Sequence, residues 1–269
     1  MPRSISPEEL MPLIGAADRP PIIDVRREAA FRADPRRIAG ALWRDHAAAA
    51  EWGPQVDRGR GIVVYCSHGH NVSAMAAASL RAAGIEAIVL EGGIAAYADA
   101  GGLLVCREAP GVSPLLQQPS VWVTRERPKI DRIACPWLIR RFIDPTAIFH
   151  FVPAEWVSEV AAEMNATLFD IADVLYSHRG ETCSFDTFLA EFGLHDRKLE
   201  ELALIVRGAD TARPDLAPEA AGLLALSLGL SAIEDGDLRQ LEKGMLLYDA
   251  LYGWLRHARG EKHNWPKAS

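Results

Sequence analysis

The sequence predicts two differently built halves: an α/β layer with a central, mainly parallel sheet in the first, and a mostly helical α+β domain in the second. Three observations carry this. Short strand-type runs (Ile22-Ile23, Ile62–Tyr65, Ala87–Leu90) alternate with helical stretches before residue 103, the pattern of parallel strands joined by crossover helices. Beyond residue 195 apolar residues recur every three or four positions, the period of amphipathic helices. Between them, Glu108 to Pro119 holds three prolines and a glycine, which discourage regular structure. The expected organisation is a first domain over 1–108, a linker over 109–119 and a second domain over 120–269.

In the first half, Pro21-Ile22-Ile23-Asp24-Val25-Arg26 reads as a short buried strand ending in charged residues. Ile62-Val63-Val64-Tyr65 is a second strand, followed by Cys66-Ser67-His68-Gly69-His70-Asn71-Val72-Ser73 and the Ala-rich helical stretch Ala74–Ala83. Gly84 stops that helix, Ala87–Leu90 is a third strand, and Gly92-Gly93 turns into a further helix containing Tyr97. A cysteine between a strand end and a helix's first turn faces backbone N–H groups that have no helical partner. Those amides and the positive helix end favour a thiolate. Cys66 is therefore the expected nucleophile, with His68 and His70 adding charge or donors. The amides of Ser67, Gly69, Asn71, Val72 and Ser73 are expected to grip an anion. Joint metal ligation by Cys66, His68 and His70 is sterically awkward at that spacing.

Ile23-Asp24-Val25-Arg26, Val64-Tyr65-Cys66 and Leu90-Glu91-Gly92-Gly93-Ile94 with Tyr97, in this order, resemble the rhodanese family over about residues 4–103. The resemblance implies a rhodanese-like α/β fold. It also implies that Cys66 accepts sulfane sulfur as a persulfide, from thiosulfate or another donor, and passes it to a thiol or cyanide-like acceptor. One departure is visible: no Arg or Lys lies between Cys66 and Ser73, where many rhodaneses carry an Arg. The loop also reads one residue longer than the common six, which leaves room for a larger tetrahedral anion. Charge stabilisation then falls to amides and histidines. The alternative is a non-catalytic sensor whose Cys66 loop binds an oxyanion reversibly.

Composition bounds the remaining classes. A 269-residue chain with 49% hydrophobic and 24% charged residues is an ordinary globular protein with room for two domains. No apolar run approaches a membrane span, and the first residues lack the apolar core of a secretion signal, so a cytoplasmic protein is expected. Residues 1–112 hold 12 Arg and 13 acids, and the remainder 17 basic and 23 acidic residues. Neither half has the basic footprint of a nucleic-acid binder. Cys66, Cys106, Cys135 and Cys183 form no CxxC pair, which argues against a disulfide framework or zinc finger. Cys106, at the linker's edge, reads as a passive surface thiol, with resolution of a Cys66 persulfide as a disulfide the alternative.

The second half opens on the strand-like Val121–Thr124. Pro136 suits the first turn of a helix that Asp144-Pro145 ends, and Ala147–Val152 reads as a buried strand with His150 as a packed, hydrogen-bonded histidine. Thr182 is expected to cap a helix starting at Cys183; Phe185, Phe188, Leu189 and Phe192 share its apolar face, Cys183 and Asp186 the other. His178 in the preceding loop, Cys183 and Asp186, completed by Asp170 and Asp210, are a candidate zinc or iron site. A solvent-facing capping network is the alternative. Leu199, Leu202, Ala203 and Val206 mark one helix, and Leu223–Leu230 a buried one. Leu238, Leu241, Met245, Tyr248, Tyr252 and Leu255 stripe a last helix, with Asp237 as its cap and Gly260 as its stop.

Trp122-Val123-Thr124-Arg125, Asp131-Arg132, Trp137–Asp144, His178–Phe185, Ile205-Val206-Arg207 with Asp210, and Leu247–Tyr252 resemble the chromate-resistance family with a ChrB-type C-terminal domain. Members are linked to chromate resistance and described as sensors or regulators. Arg125, Arg132, Arg140 and Arg141 are the expected contacts to an oxyanion such as chromate, a divalent tetrahedral anion suited to bidentate guanidinium groups.

Overall fold

In the computed structural model, residues 3–57, 59–112 and 117–261 are described. The first domain is built on five parallel strands: β1 (Ser4–Ile5), β2 (Ile22–Asp24), β4 (Leu42–Trp43), β5 (Ile62–Tyr65) and β6 (Ala87–Leu90), in the order β1-β6-β5-β2-β4. β5 is central and buried at all four positions, with Val63 opposite Ile22 and Ile88. Its near-continuous apolar sequence is what a parallel strand covered on both faces requires. A small antiparallel pair, β3 (Arg36–Ile38) and β7 (Leu104–Cys106), lies apart from this sheet. The helices are α1 (Pro7–Leu10), α2 (Glu28–Ala33), α3 (Ala49–Val56), α4 (Asn71–Ala82) and α5 (Gly93–Asp99). α4 begins three residues before the helical stretch read from sequence, so Asn71, Val72 and Ser73 form its first turn rather than a loop.

The second domain is mostly helical around a small parallel sheet, β10-β8-β9: β8 (Val121–Arg125), β9 (Ile148–Val152) and β10 (Thr167–Leu168). β9 is an edge strand: Phe149 is buried, Ile148 is exposed and His150 is half-buried. The helices are α6 (Asp131–Leu138), α7 (Val157–Glu163), α8 (Ser184–Glu191), α9 (Arg197–Asp210), α10 (Ala220–Ile233) and α11 (Asp237–Gly253). α6 starts five residues before the expected Pro136, which sits inside it. The proline lacks the N–H that the ladder would use there, and the helix continues into a π-turn over Ile139–Ile143. α8 starts at Ser184, with Cys183 rather than Thr182 as its N-cap. Gly236, not Asp237, caps α11; Asp237 accepts a hydrogen bond from the Arg127 amide. The α11 stripe is buried at Leu241, Met245, Tyr248, Tyr252 and Leu255, but Leu238 is exposed.

α10 differs most from its expected placement. It is not a buried helix: Leu226 is 59% exposed, Leu228 48% and Ile233 76%, whereas Ser227 and Ser231 face inward. The close approach of α9 explains this orientation. A Cβ added at Gly208 would lie 2.9 Å from the Ala220 Cβ, so the contact admits small side chains; Leu226 and Leu228 turn outward, while Leu223 stays buried.

One hydrophobic cluster runs from Leu10 through Val63 and Phe142 to Leu255 and includes residues of both domains. Gly15 packs onto Phe142 and Tyr252. Hydrogen bonds across the boundary include Gly40 N–H to Phe142 O (2.5 Å), Arg37 to Ile143 O (2.7 Å) and Cys106 N–H to Phe192 O (2.9 Å). Arg256 reaches Ile14 O and Pro12 O at 2.9 and 2.8 Å. The segment expected as a linker is held down where described: Ala109 and Val112 are buried, and Gly111 O accepts from Thr167 Oγ1 at 2.9 Å. Residues 113–116 of that segment lie outside the described residues.

Candidate functional sites

Cys66 follows β5 directly and faces the first turn of α4. The N-cap of α4, His70, offers no side-chain cap to the first-turn amides; the Cys66 sulfur takes that place. Its Sγ is 3.2 Å from Ser73 Oγ, whose hydroxyl also has His70 O as an acceptor at 3.1 Å. Burial pushes the thiol pKa up, but the Ser73 hydroxyl and the amides of Ser73, His68 and His70 outweigh it, and the net direction is down. The group is poised toward thiolate without an Arg or Lys in the loop. His68 and His70 are exposed, with rings stacked 6.4 Å apart.

The loop is fixed from the far side by α5. Ile94 N–H donates to Cys66 O (3.0 Å) and Ala95 N–H to Ser67 O (3.1 Å). Gly93 has φ +61°, and a Cβ there would meet Cys66 O at 2.2 Å; a Cβ at Gly69 (φ +70°) would meet Gly92 N at 2.7 Å. Glycine is needed at both positions for backbone conformation and for space. Beneath the loop, Arg26 closes a buried pair with Asp24 (2.7 Å), and Val25 N–H donates to Tyr65 O (2.9 Å).

In the second domain, His178 Nε2 lies 3.2 Å from Asp210 Oδ2 and 3.5 Å from both Asp131 Oδ2 and Asp170 Oδ1. Asp170 follows β10, Asp131 opens α6 and Asp210 ends α9, so the group gathers beyond the carboxyl ends of parallel strands, where α/β ligands bind. Ser184 joins two of the acids: its N–H donates to Asp131 Oδ2 (2.6 Å) and its Oγ to Asp170 Oδ1 (2.7 Å). Contact with Asp131 and Asp170 raises the His178 pKa to about 10. Burial and the neighbouring Asp131 and Asp170 raise that of Asp210 to about 7.

The structure thus brings together three of the five residues read from sequence as metal ligands: His178, Asp170 and Asp210. It adds Asp131, which the sequence reading did not single out as a ligand. The placement of Cys183 on a polar helix face is corrected: Cys183 is fully buried in the core, and burial pushes its thiol far up. Asp186 accepts from Cys183 N–H (3.0 Å) and from Arg207 Nη2 and Nε (2.6 and 3.0 Å), forming a capping network. Of the four arginines read as oxyanion contacts, Arg132 Nε is 3.3 Å from Asp170 Oδ2, and Arg125 donates to Asp170 O (3.1 Å). Arg140 and Arg141 are elsewhere, engaged with Glu242 (2.6 Å) and Asp249 (2.8 Å). They line a cleft of about 770 Å³ between the domains, together with Arg19, Gly40 and Met245. Cys106 is half-buried in β7. Among the described residues, no helix is long and apolar enough to cross a membrane.

Each half matches a family model. Residues 6–100 match the rhodanese-like domain, and residues 122–255 match the model described as ChrB, C-terminal domain. Protein ChrB of Cupriavidus metallidurans is 34% identical over 150 residues, covering 55% of this chain and 44% of that protein. The chain therefore spans less than half the length of the curated relative it matches. Among solved structures, a rhodanese-related protein from Thermoplasma volcanium is 28% identical over 38% of this chain and 97% of its own, with a TM-score of 0.33. A thiosulfate sulfurtransferase from Pseudomonas aeruginosa is 21% identical over 39% of this chain and 19% of its own, also at 0.33.

Proposed function

We propose that this chain, a rhodanese-like domain joined to a ChrB C-terminal domain, is a cytoplasmic sulfurtransferase working in chromate resistance. The observation that carries the reading is the amide cradle around Cys66, which favours the nucleophilic thiolate. In the first step the thiolate attacks the outer sulfur of thiosulfate; the new S–S bond forms as the old one breaks, and sulfite leaves with the electron pair. Cys66 is then a persulfide. In the second step a thiolate or cyanide attacks the terminal sulfur, and Cys66 leaves as the thiolate that began the cycle. The amides of residues 67–73 stabilise the anionic sulfur in both forms, and the exposed His68 and His70 meet the incoming anion. In the second domain, Arg125 and Arg132 beside Asp170 are the contacts we assign to an oxyanion.

Intact-protein mass spectrometry after incubation with thiosulfate tests the reading. One added sulfur atom, removed by cyanide and absent from Cys66→Ser, is the expected result. The loop's lack of Arg and Lys favours one rival, a sensor that holds an oxyanion without covalent change. No adduct from several sulfane donors, with saturable anion binding to the same loop, would establish that rival instead.

A further inference from the structure

His178 faces more acceptors than it has protons to offer. Its Nε2 carries one N–H at most, yet three carboxylate oxygens, from Asp131, Asp170 and Asp210, stand 3.2–3.5 Å away. None is at the roughly 2.7–2.9 Å of a charge-assisted N–H···O bond. These separations fit a different centre. Two ligands each about 2.1 Å from a common ion lie roughly 3.0–3.4 Å apart in octahedral or tetrahedral geometry. One ligand atom each from Asp131, Asp170 and His178 lies within 4.8 Å of the others.

A second, independent observation is the state of Asp131. It is fully buried, its Oδ2 faces His178, and its Oδ1 is among the buried polar atoms without a hydrogen-bond partner. A buried carboxylate oxygen left in this state is costly, and a bound cation removes that cost. The outer contacts are those of a held ligand set: Ser184 fixes Asp131 and Asp170 through its N–H and hydroxyl, and Arg132 fixes the second oxygen of Asp170.

We propose that Asp131, Asp170 and His178 form a binding site for one divalent first-row cation of the Mn²⁺, Fe²⁺ or Zn²⁺ class, with Asp210 as the neighbouring carboxylate that supports it. Two carboxylate oxygens and one imidazole nitrogen are a hard-to-borderline set suited to these ions. Cys183 is not among the gathered ligand atoms, which leaves no sulfur donor to favour a thiophilic ion such as Cu⁺. His178 is half-exposed on a loop, which gives an ion an entry path. The inference rests on the second domain alone and does not depend on sulfur transfer at Cys66.

The test uses the full chain stripped with chelator, dialysed against Mn²⁺ or Zn²⁺, with bound metal measured by elemental analysis. The expected result is one equivalent in the parent protein, affinity reduced tenfold or more in both His178→Ala and Asp210→Asn, and retention in Asp186→Asn. Asp210→Asn is isosteric and partly exposed, so it is the variant least at risk of misfolding. It should also raise the Tm of the metal-free protein by removing one of three like charges, while abolishing the Tm gain on adding metal. No stoichiometric Mn²⁺, Fe²⁺ or Zn²⁺ in the parent protein, or undiminished binding in both His178→Ala and Asp210→Asn, would overturn the assignment.

Discussion

Making a thiolate of Cys66 requires its neighbours to offset the cost of burying a sulfur anion. Ser73 contributes both a hydroxyl and an amide to that balance. Ser73→Ala should therefore cut alkylation of Cys66 by iodoacetamide at pH 7 by on the order of tenfold, the loss of one hydrogen bond to a charged group. The pH dependence has a definite sign. With the folded pKa below the ordinary 9.0, reactivity persists below that value and is lost as pH falls through the folded pKa. In Ser73→Ala the alkylation midpoint moves back toward 9.0; an unmoved midpoint would leave the backbone amides as the whole cause. Cys66 was legible in sequence because its supports are contiguous: strand, cysteine, glycine loop and helix start lie within a dozen residues. The second-domain cluster was only half legible. Asp131 comes from α6, Asp170 and His178 from the segment between β10 and α8, and Asp210 from α9, and Pro136 drew the expected start of α6 past Asp131. Recognising that a helix can carry a proline at its sixth position would have put Asp131 at a helix start beside Arg132.

At the scale of elements, two packing contacts have measurable consequences. The α4–β5 loop is locked by the start of α5, so Gly93→Ala forces a Cβ to within 2.2 Å of Cys66 O at a positive φ. That substitution should cost on the order of 1–3 kcal/mol of stability and misplace the sulfur; equal persulfide yield and equal Tm in the variant would contradict it. The second contact is that of α10 with α9. Leu228→Lys should leave chemical-denaturation stability within about 0.5 kcal/mol, as expected of an exposed position. Leu223→Lys, at 3% exposure, should lose several kcal/mol by burying a charge. A reversed ranking would mean that α10 sits the other way round. Its orientation was hidden in the sequence because a run of Leu, Ala and Gly is apolar on every side. The choice between faces was made by α9, whose Gly208 demands small residues. The burial of Cys183 was hidden for a related reason: α8 is packed by both α6 and α9, so a second face is covered that a single apolar stripe does not mark.

For the whole molecule, the fold class of each half was readable because it depends only on periodicity, whereas the docking of the halves was not. That docking rests on backbone atoms such as Phe142 O and Ile143 O and on the buried Arg37, none of which carries a composition signal. Arg37 tests whether that docking needs a charge. Its guanidinium is buried, with Nε and one Nη lacking partners, and burial lowers its pKa to about 10. Removing the charge while keeping the bulk, as in Arg37→Met, should cost little or even raise Tm. A fall of more than about 3 kcal/mol, the loss expected from breaking a buried ion pair, would show that the charge is indispensable.

The shared core has a consequence for how the chain can be divided. A scissile bond placed after residue 112 would strip Phe142 and Tyr252 from Gly15, and the Phe192 carbonyl from Cys106. Each fragment would present a raw apolar wall to water. Calorimetry of the intact chain should accordingly give a single cooperative endotherm rather than two. The sulfur chemistry proposed for one half would then survive only as long as the other half stays folded.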